Sequence, residues 1–133
     1  MDFIPGIGAT AGGLDAQRTR LEVIAQNLAN IHTTKTADGG PYQRQVVNFA
    51  EALDATGNSS VRVESVTRDL SPGGARFDPS HPHADEKGLV QMPNVSLSHE
   101  MVDMLSASRA YEANLSAAKT SRSLAQKALE IGR

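Results

Sequence analysis

VSLSHEMVDMLSASRAYEANLSAAKTSRSLAQKALEI, Val95 to Ile131, contains neither proline nor glycine, and Gly132 stands directly after it. Met92-Pro93 precedes it. Ser96 occupies the place of a helix N-cap, and Glu100 lies in the early turns that favour negative charge. Two rows recur at seven-residue spacing. One is Leu97, Met104, Tyr111, Ala118 and Ala125; the other is Met101, Ser108, Leu115, Arg122 and Leu129. The spacing predicts one helix of about 34 residues, spanning roughly 50 Å. That exceeds the diameter of a globule made from 133 residues, so the helix projects or pairs with another long helix. Arg122, in the same row as Leu115 and Leu129, implies that this row is partly exposed, because a buried charge needs a partner.

Working toward the N-terminus, a second stripe supplies such a partner. Ile7, Leu14, Leu21 and Leu28 recur every seven residues, and Thr10, Gln17, Ile24 and Ile31 follow three positions later. A helix is expected over about residues 6 to 31. Gly6, Gly8, Gly12 and Gly13 weaken its first turns, each by up to ~1 kcal/mol against alanine. They also allow another backbone to come close. Asn27 and Asn30 sit near its end, where asparagine tolerates the left-handed conformation; their expected role is mainly to fix the turn.

The middle is not helical. Tyr42 to Phe49 reads as a strand, and Val61-Arg-Val-Glu alternates with period two and reads as a second. Asp54 to Ser60 is the turn between them. Ser71 to Lys87 holds Pro72, Gly73, Gly74, Pro79 and Pro82 and is expected to be loop. Leu89 to Met92 makes a third short strand. The expected fold is therefore mainly α with a small β-rich middle. Long N- and C-terminal helices pair as an antiparallel coiled coil, with strands and a loop between them. Residues 1–34 and 94–133 form a discontinuous helical domain, and 35–93 form the middle segment.

Composition agrees with an elongated molecule. Leu, Ile, Val and Phe together make 28 of 133 residues, there is no Trp, and alanine is abundant. Alanine suits close helix-to-helix contact better than a bulky core. The helices thus finish their burial against partners. A net charge of -2 with no basic stripe gives nucleic-acid binding little support. The absence of cysteine removes disulfides, thiol catalysis and Cys-ligated zinc. No stretch reaches the ~18 apolar residues of a membrane span, and the first residues lack the basic and apolar regions of a Sec signal.

Enzyme signatures fail on context. His81-Pro-His83-Ala-Asp85 has the form H-x-H-x-D, whose imidazole and carboxylate groups suit zinc. A catalytic centre needs a further ligand and an ordered second layer of support, and His32 and His99 sit in no recognisable motif. The loop reads as a proline-stiffened polar turn. Gly6 and Gly8 follow no strand, as a nucleotide fingerprint requires. No serine or threonine has a base beside it in a nucleophile motif. No catalytic, cofactor-binding or metal-binding residues are expected.

Gln26-Asn27-Leu28-Ala29-Asn30, with Thr33-Thr34, resembles the N-terminal signature of flagellar rod, hook and hook-associated proteins. Met92-Pro93-Asn94-Val95 leads into Glu100-Met-Val-Asp-Met104 and then Ser106-Ala-Ser108-Arg109-Ala-Tyr111-Glu-Ala-Asn114. This block, with Asp78-Pro79, His81-Pro82, Ala84-Asp85 and Gly88, resembles the proximal rod proteins of that family. The similarity spans the whole chain. It implies a structural subunit of the bacterial flagellar rod whose terminal helices form the inner layer of a helical tube. It implies motif residues Asn27, Leu28, Ala29, Asn30, Pro93, Asn94, Ser108, Arg109, Tyr111 and Asn114. The partners implied are other copies, other rod proteins and, at the rod base, the export apparatus and the MS ring. The route implied is the flagellar type III system, without a cleaved signal peptide.

Leu14, Leu21, Ile24, Leu28, Met101, Met104, Tyr111, Leu115 and Leu129 are the expected helix-packing and assembly residues. Leu21, Ile24 and Leu28 should face the segment from Met101 to Leu115. Two other functions compete with the rod subunit: a soluble coiled-coil adaptor, and a small metal hydrolase using the His81 loop. A middle segment inserted between two compatible terminal helices favours the rod subunit. Both ends of the isolated subunit should be partly disordered until assembly, since isolated helices draw most of their stability from packing.

Overall fold

The computed structural model describes residues 5–53, 55 and 57–132. Helix α1 runs over Pro5–Ala29, strand β1 over Gln45–Leu53, β2 over Ser59–Arg68, β3 over Ala75–Phe77 and β4 over Leu89–Gln91. Helix α2 closes the chain over Leu97–Ile131. The long C-terminal helix is where the uninterrupted sequence placed it. Ser96 is its N-cap residue, yet the serine side chain makes no capping hydrogen bond; its Oγ lies 3.2 Å from Ser98 Oγ instead.

The helices lie antiparallel. A side chain built at Gly6 would touch Ser121, one at Gly13 would touch Asn114, and Asn27 reaches Glu100. Each step of seven along α1 is matched by a step of seven back along α2. The glycine pair Gly12-Gly13 shows why small residues stand here. A Cβ on Gly13 would lie 2.9 Å from Asn114 Oδ1, and one on Gly12 would lie 2.9 Å from the Val61 carbonyl oxygen. The two glycines therefore admit α2 and the β2 backbone to α1 at the same level, as the expected close approach requires.

Strands β1 and β2 form an antiparallel hairpin from Gln45↔Arg68 to Leu53↔Ser59, with a register shift at Asn48/Phe49 that leaves Glu64 unopposed. β3 and β4 form a second antiparallel pair, Ala75↔Gln91 to Phe77↔Leu89. Both longer strands differ from expectation. β1 starts at Gln45, not Tyr42, because the chain before it is held by side-chain contacts and by the Tyr42 N–H to the Thr33 carbonyl. It runs on to Leu53, since β2 extends well beyond Val61–Glu64 and continues the ladder. β3 lies inside the segment expected to be loop, where its pairing with β4 supplies what three residues lack alone. Asp54 and Thr56, in the expected turn, lie outside the described residues.

The core is small. Among the described residues Ala16, Val23, Ile24, Tyr42, Val90 and Ala107 are its buried apolar side chains, joined by Asn27 and Glu100. On α2 only Glu100 and Ala107 are buried, with Met104, Tyr111, Asn114, Ala118, Ser121 and Ala125 half-covered. The first predicted row, from Met104 onward, thus lies near the seam. The second does not. Met101 is 58% exposed, Leu115 37% and Leu129 69%. The inward row runs one residue earlier, through Glu100, Ala107, Asn114 and Ser121. On α1, Ile24 is buried and Leu14, Leu21 and Leu28 are half-buried, while Ala16 and Val23, outside the predicted stripe, are buried.

Candidate functional site: a polar clamp at the helix junction

Where α1 ends, β1 begins and α2 starts, the chain brings together the polar side chains of Asn27, Tyr42, Arg44, Glu100 and Asp103. Asn27 is fully buried on the last turns of α1. Its Oδ1 accepts from the Tyr42 hydroxyl at 2.8 Å and from the Gln45 N–H at 2.9 Å. Its Nδ2 donates to the Gln45 carbonyl at 2.9 Å and to Glu100 Oε2 at 3.3 Å. Both donors and both acceptor lone pairs of the amide are satisfied, which is what burial of such a group requires.

Glu100, in the first turn of α2, is also fully buried. Its second oxygen takes Nε–H of Arg44, and Arg44 Nη2 donates to Asp103 Oδ2 at 3.0 Å. Arg20 of α1 adds a looser contact to Asp103 at 3.8 Å. Burial works against the Arg44 charge. The hydrogen bond to Glu100 and the nearby carboxylates of Glu100, Asp103 and Asp69 more than offset it, so the guanidinium pKa lies above its ordinary value. Burial, together with the Glu100 charge, pushes the Tyr42 phenol up, against a smaller opposing influence from Arg68.

Asn94 ties the approach to α2. Its Oδ1 accepts from the Arg44 N–H at 2.7 Å, and its Nδ2 donates to the Asp69 and Ser71 carbonyls, both at 2.9 Å. Asn30 works differently. Its Nδ2 donates to the Gln26 carbonyl at 2.8 Å and its Oδ1 accepts from the Thr33 hydroxyl at 3.1 Å, closing the end of α1. Turn fixation thus describes Asn30; Asn27 joins three elements.

The 78–88 loop bonds mainly within itself and also contacts Thr34. Asp85 Oδ1 accepts from the N–H groups of Lys87 and Leu89, and Asp78 accepts from the Ser80 hydroxyl. His81 Nδ1 accepts from the His83 N–H, and His83 Nδ1 lies 2.7 Å from the Thr34 hydroxyl. Among the described residues no group of three or more His, Cys, Asp or Glu could hold a metal ion.

The clamp thus joins α1, β1 and the start of α2 through hydrogen bonds and ion pairs. Residues 9–35 match a family described as "Flagella basal body rod protein", and residues 86–131 match one described as "Flagellar basal body rod FlgEFG protein C-terminal". The chain is 43% identical to the flagellar basal-body rod protein FlgC of Borreliella burgdorferi, over 98% of both chains. It is 37% identical to that of Bacillus subtilis over 100% of both, and 41% identical to that of Salmonella typhimurium over 90% of both. This chain belongs to the FlgC family. It is a structural subunit of the rod of the flagellar basal body and not an enzyme.

The FlgC-like motif residues fall into two groups in space. Asn27, Asn94 and the buried Pro93 lie at the clamp, Asn30 closes the end of α1 next to it, and Leu28 is half-buried and Ala29 exposed. Ser108, Arg109, Tyr111 and Asn114 lie farther along α2. Asn114 donates to the Ala110 carbonyl at 3.0 Å and faces Gly13, Ser108 and Tyr111 are half-buried, and Arg109 is exposed. Sequence reasoning missed Tyr42, Arg44, Glu100 and Asp103 as members of the site. The available signal was two acids three residues apart on one helix face, with a lone arginine in the segment before β1.

Proposed function

We propose that this FlgC-family chain forms part of the proximal rod, assembling helically so that its terminal helices make the inner layer of a hollow shaft. The observation that carries the reading is the state of α2. Only two of its 35 residues are buried within the chain, while Met101, Val102, Leu105, Leu124 and Leu129 are all more than half exposed. Such a helix needs cover, and in a rod neighbouring subunits provide it. Met101, Leu115 and Leu129 are then assembly residues, whereas Ile24 and its half-buried neighbours Leu14, Leu21, Leu28, Met104 and Tyr111 act within the subunit.

In this reading the discontinuous unit 1–34 with 94–133 is the assembling domain and 35–93 is the segment that reaches outward. The subunit leaves the cytoplasm by the flagellar type III route, and the partners at the rod base include the export apparatus and the MS ring. The test is Leu115→Asp, with export and swimming both measured. Normal export with loss of swimming is expected, because assembly would bury a carboxylate without a partner. Normal swimming would remove α2 as an assembly surface.

A further inference from the structure

We propose that Arg44, acting with Asn27 and Glu100, sets the heptad register in which α2 pairs with α1. The seam itself discriminates poorly between registers. Gly6 faces Ser121 and Gly13 faces Asn114, and Ala107 is the one buried apolar side chain on α2. Sliding α2 by seven residues, roughly 10 Å, puts Asn114 where Ser121 stood against Gly6 and Ala107 where Asn114 stood against Gly13, so the glycines meet small or polar side chains in either alignment. In one direction Gly6 meets Asn114 and Arg20 meets Glu100, an ion pair that would itself favour the wrong alignment.

The clamp opposes both slips. Arg44 stands at the edge of β1, which pairs with β2 and is tied to α1 through the Gln45–Asn27 hydrogen bonds. From that fixed point its backbone N–H holds Asn94, three residues before α2, at 2.7 Å, and its side chain holds Glu100 in the first turn and Asp103 in the next. Asn27 grips Glu100 from the α1 side at 3.3 Å. Any slip removes both partners from the Glu100 carboxylate, which is 0% exposed. Buried polar groups are best attested as devices that select register at little or no gain in stability. A slipped subunit would carry its exposed α2 residues a whole heptad out of place. That consequence for assembly rests on the rod-subunit reading; the register itself does not.

The chain has no native cysteine, so designed disulfides report register directly. Gly6→Cys with Ser121→Cys captures the observed alignment, since a Gly6 Cβ would lie 3.7 Å from Ser121 Oγ. Gly6→Cys with Asn114→Cys captures the slipped one. Both pairs are oxidised mildly in the purified full chain. The first alone should form with the clamp intact. In Arg44→Leu/Glu100→Leu the melting temperature should be unchanged or raised. The ratio of observed to slipped disulfide should fall by about tenfold or more, the mark of a specificity device rather than a stability device. Glu100→Gln, which keeps shape and a hydrogen-bonding amide, should fold and give an intermediate ratio. An unchanged ratio in the double variant overturns the proposal. If the double variant fails to fold, an unchanged ratio in Glu100→Gln overturns it. Equal yields of both disulfides with the clamp intact overturn it as well. Swimming plays no part in this readout, so its failure is distinct from failure of the rod reading.

Discussion

Asn27 concentrates more of the structure than any apolar residue does. Truncating it strands the Tyr42 hydroxyl, the Gln45 N–H and carbonyl, and one oxygen of a buried carboxylate. Each unsatisfied buried group costs about 1–3 kcal/mol, so Asn27→Ala should lower the unfolding free energy by roughly 3 kcal/mol or more in urea titration. Glu64→Gln, at the exposed unopposed position of β2, should change it by less than about 0.5 kcal/mol. Tyr42 adds a pH dependence. Its folded-state pKa lies above the ordinary 10.0, so its contribution is complete below that value. The contribution is lost as pH rises through the higher folded value, when the phenolate can no longer donate to Asn27. In a Tyr111→Phe background, which leaves Tyr42 as the chain's one tyrosine, ultraviolet absorbance should show ionisation later than in a free tyrosine. Loss of helix signal should accompany it. Ionisation at the ordinary value would mean that the hydroxyl is not held as described.

The two helices are each anchored over half their length. Ala16, Val23, Ile24 and Asn27 are buried on α1, Glu100 and Ala107 on α2, and no described residue of either helix is buried before Ala16 or after Ala107. The expectation that both ends are partly disordered before assembly is therefore divided by position. In the purified subunit, amide hydrogen exchange should be slow over 16–27 and 100–107, next to the clamp, and faster, yet still short of the unstructured rate, over 5–12 and 112–131, where the helices pair through small residues alone. The outer halves have little to pack against, and a helix without packing is marginal. Uniformly slow exchange along α2 in a proven monomer would show that its outer half is stable without neighbours. Assembly would then be the docking of a preformed helical pair.

At the scale of the molecule the apolar surface is on the wrong side for a free-standing protein. Leu53, Leu70, Phe77, Leu124 and Ile131 all stand more than half exposed, while among the described residues only Ala16, Val23, Ile24, Tyr42, Val90 and Ala107, with Pro93, are buried apolar side chains. Exposed apolar area of this extent marks an interaction surface. Leu129→Asp should therefore leave thermal unfolding of the isolated chain within about 0.5 kcal/mol of its starting value, because Leu129 is 69% exposed there. The same substitution should abolish rod assembly in cells, scored by swimming and by electron microscopy of basal bodies. A large loss of stability in the isolated chain would place Leu129 in a monomer core instead.

The sequence by itself determined the two helices, their lengths to within a few residues, the β-rich middle and the family. Those features are written in local terms: an unbroken run from Val95 to Ile131, period-two alternation near Val61, and the motifs around Asn27 and Asn94. Seven-residue spacing also declared that a seam exists. It did not decide which of two adjacent rows forms it, because Glu100 and Met101 differ by only one residue, and hydrophobicity favours Met101. Tertiary structure chose Glu100. Arg44 and Asn27, 56 and 73 positions away in the chain, converge on its carboxylate and satisfy it, and the helix turns that face inward. The polar clamp was little more legible, since the paired acids Glu100 and Asp103 and the lone Arg44 gain their meaning only where α1, β1 and α2 meet. A buried charge is tolerated only where its partners arrive together, and that is a property of the folded arrangement alone.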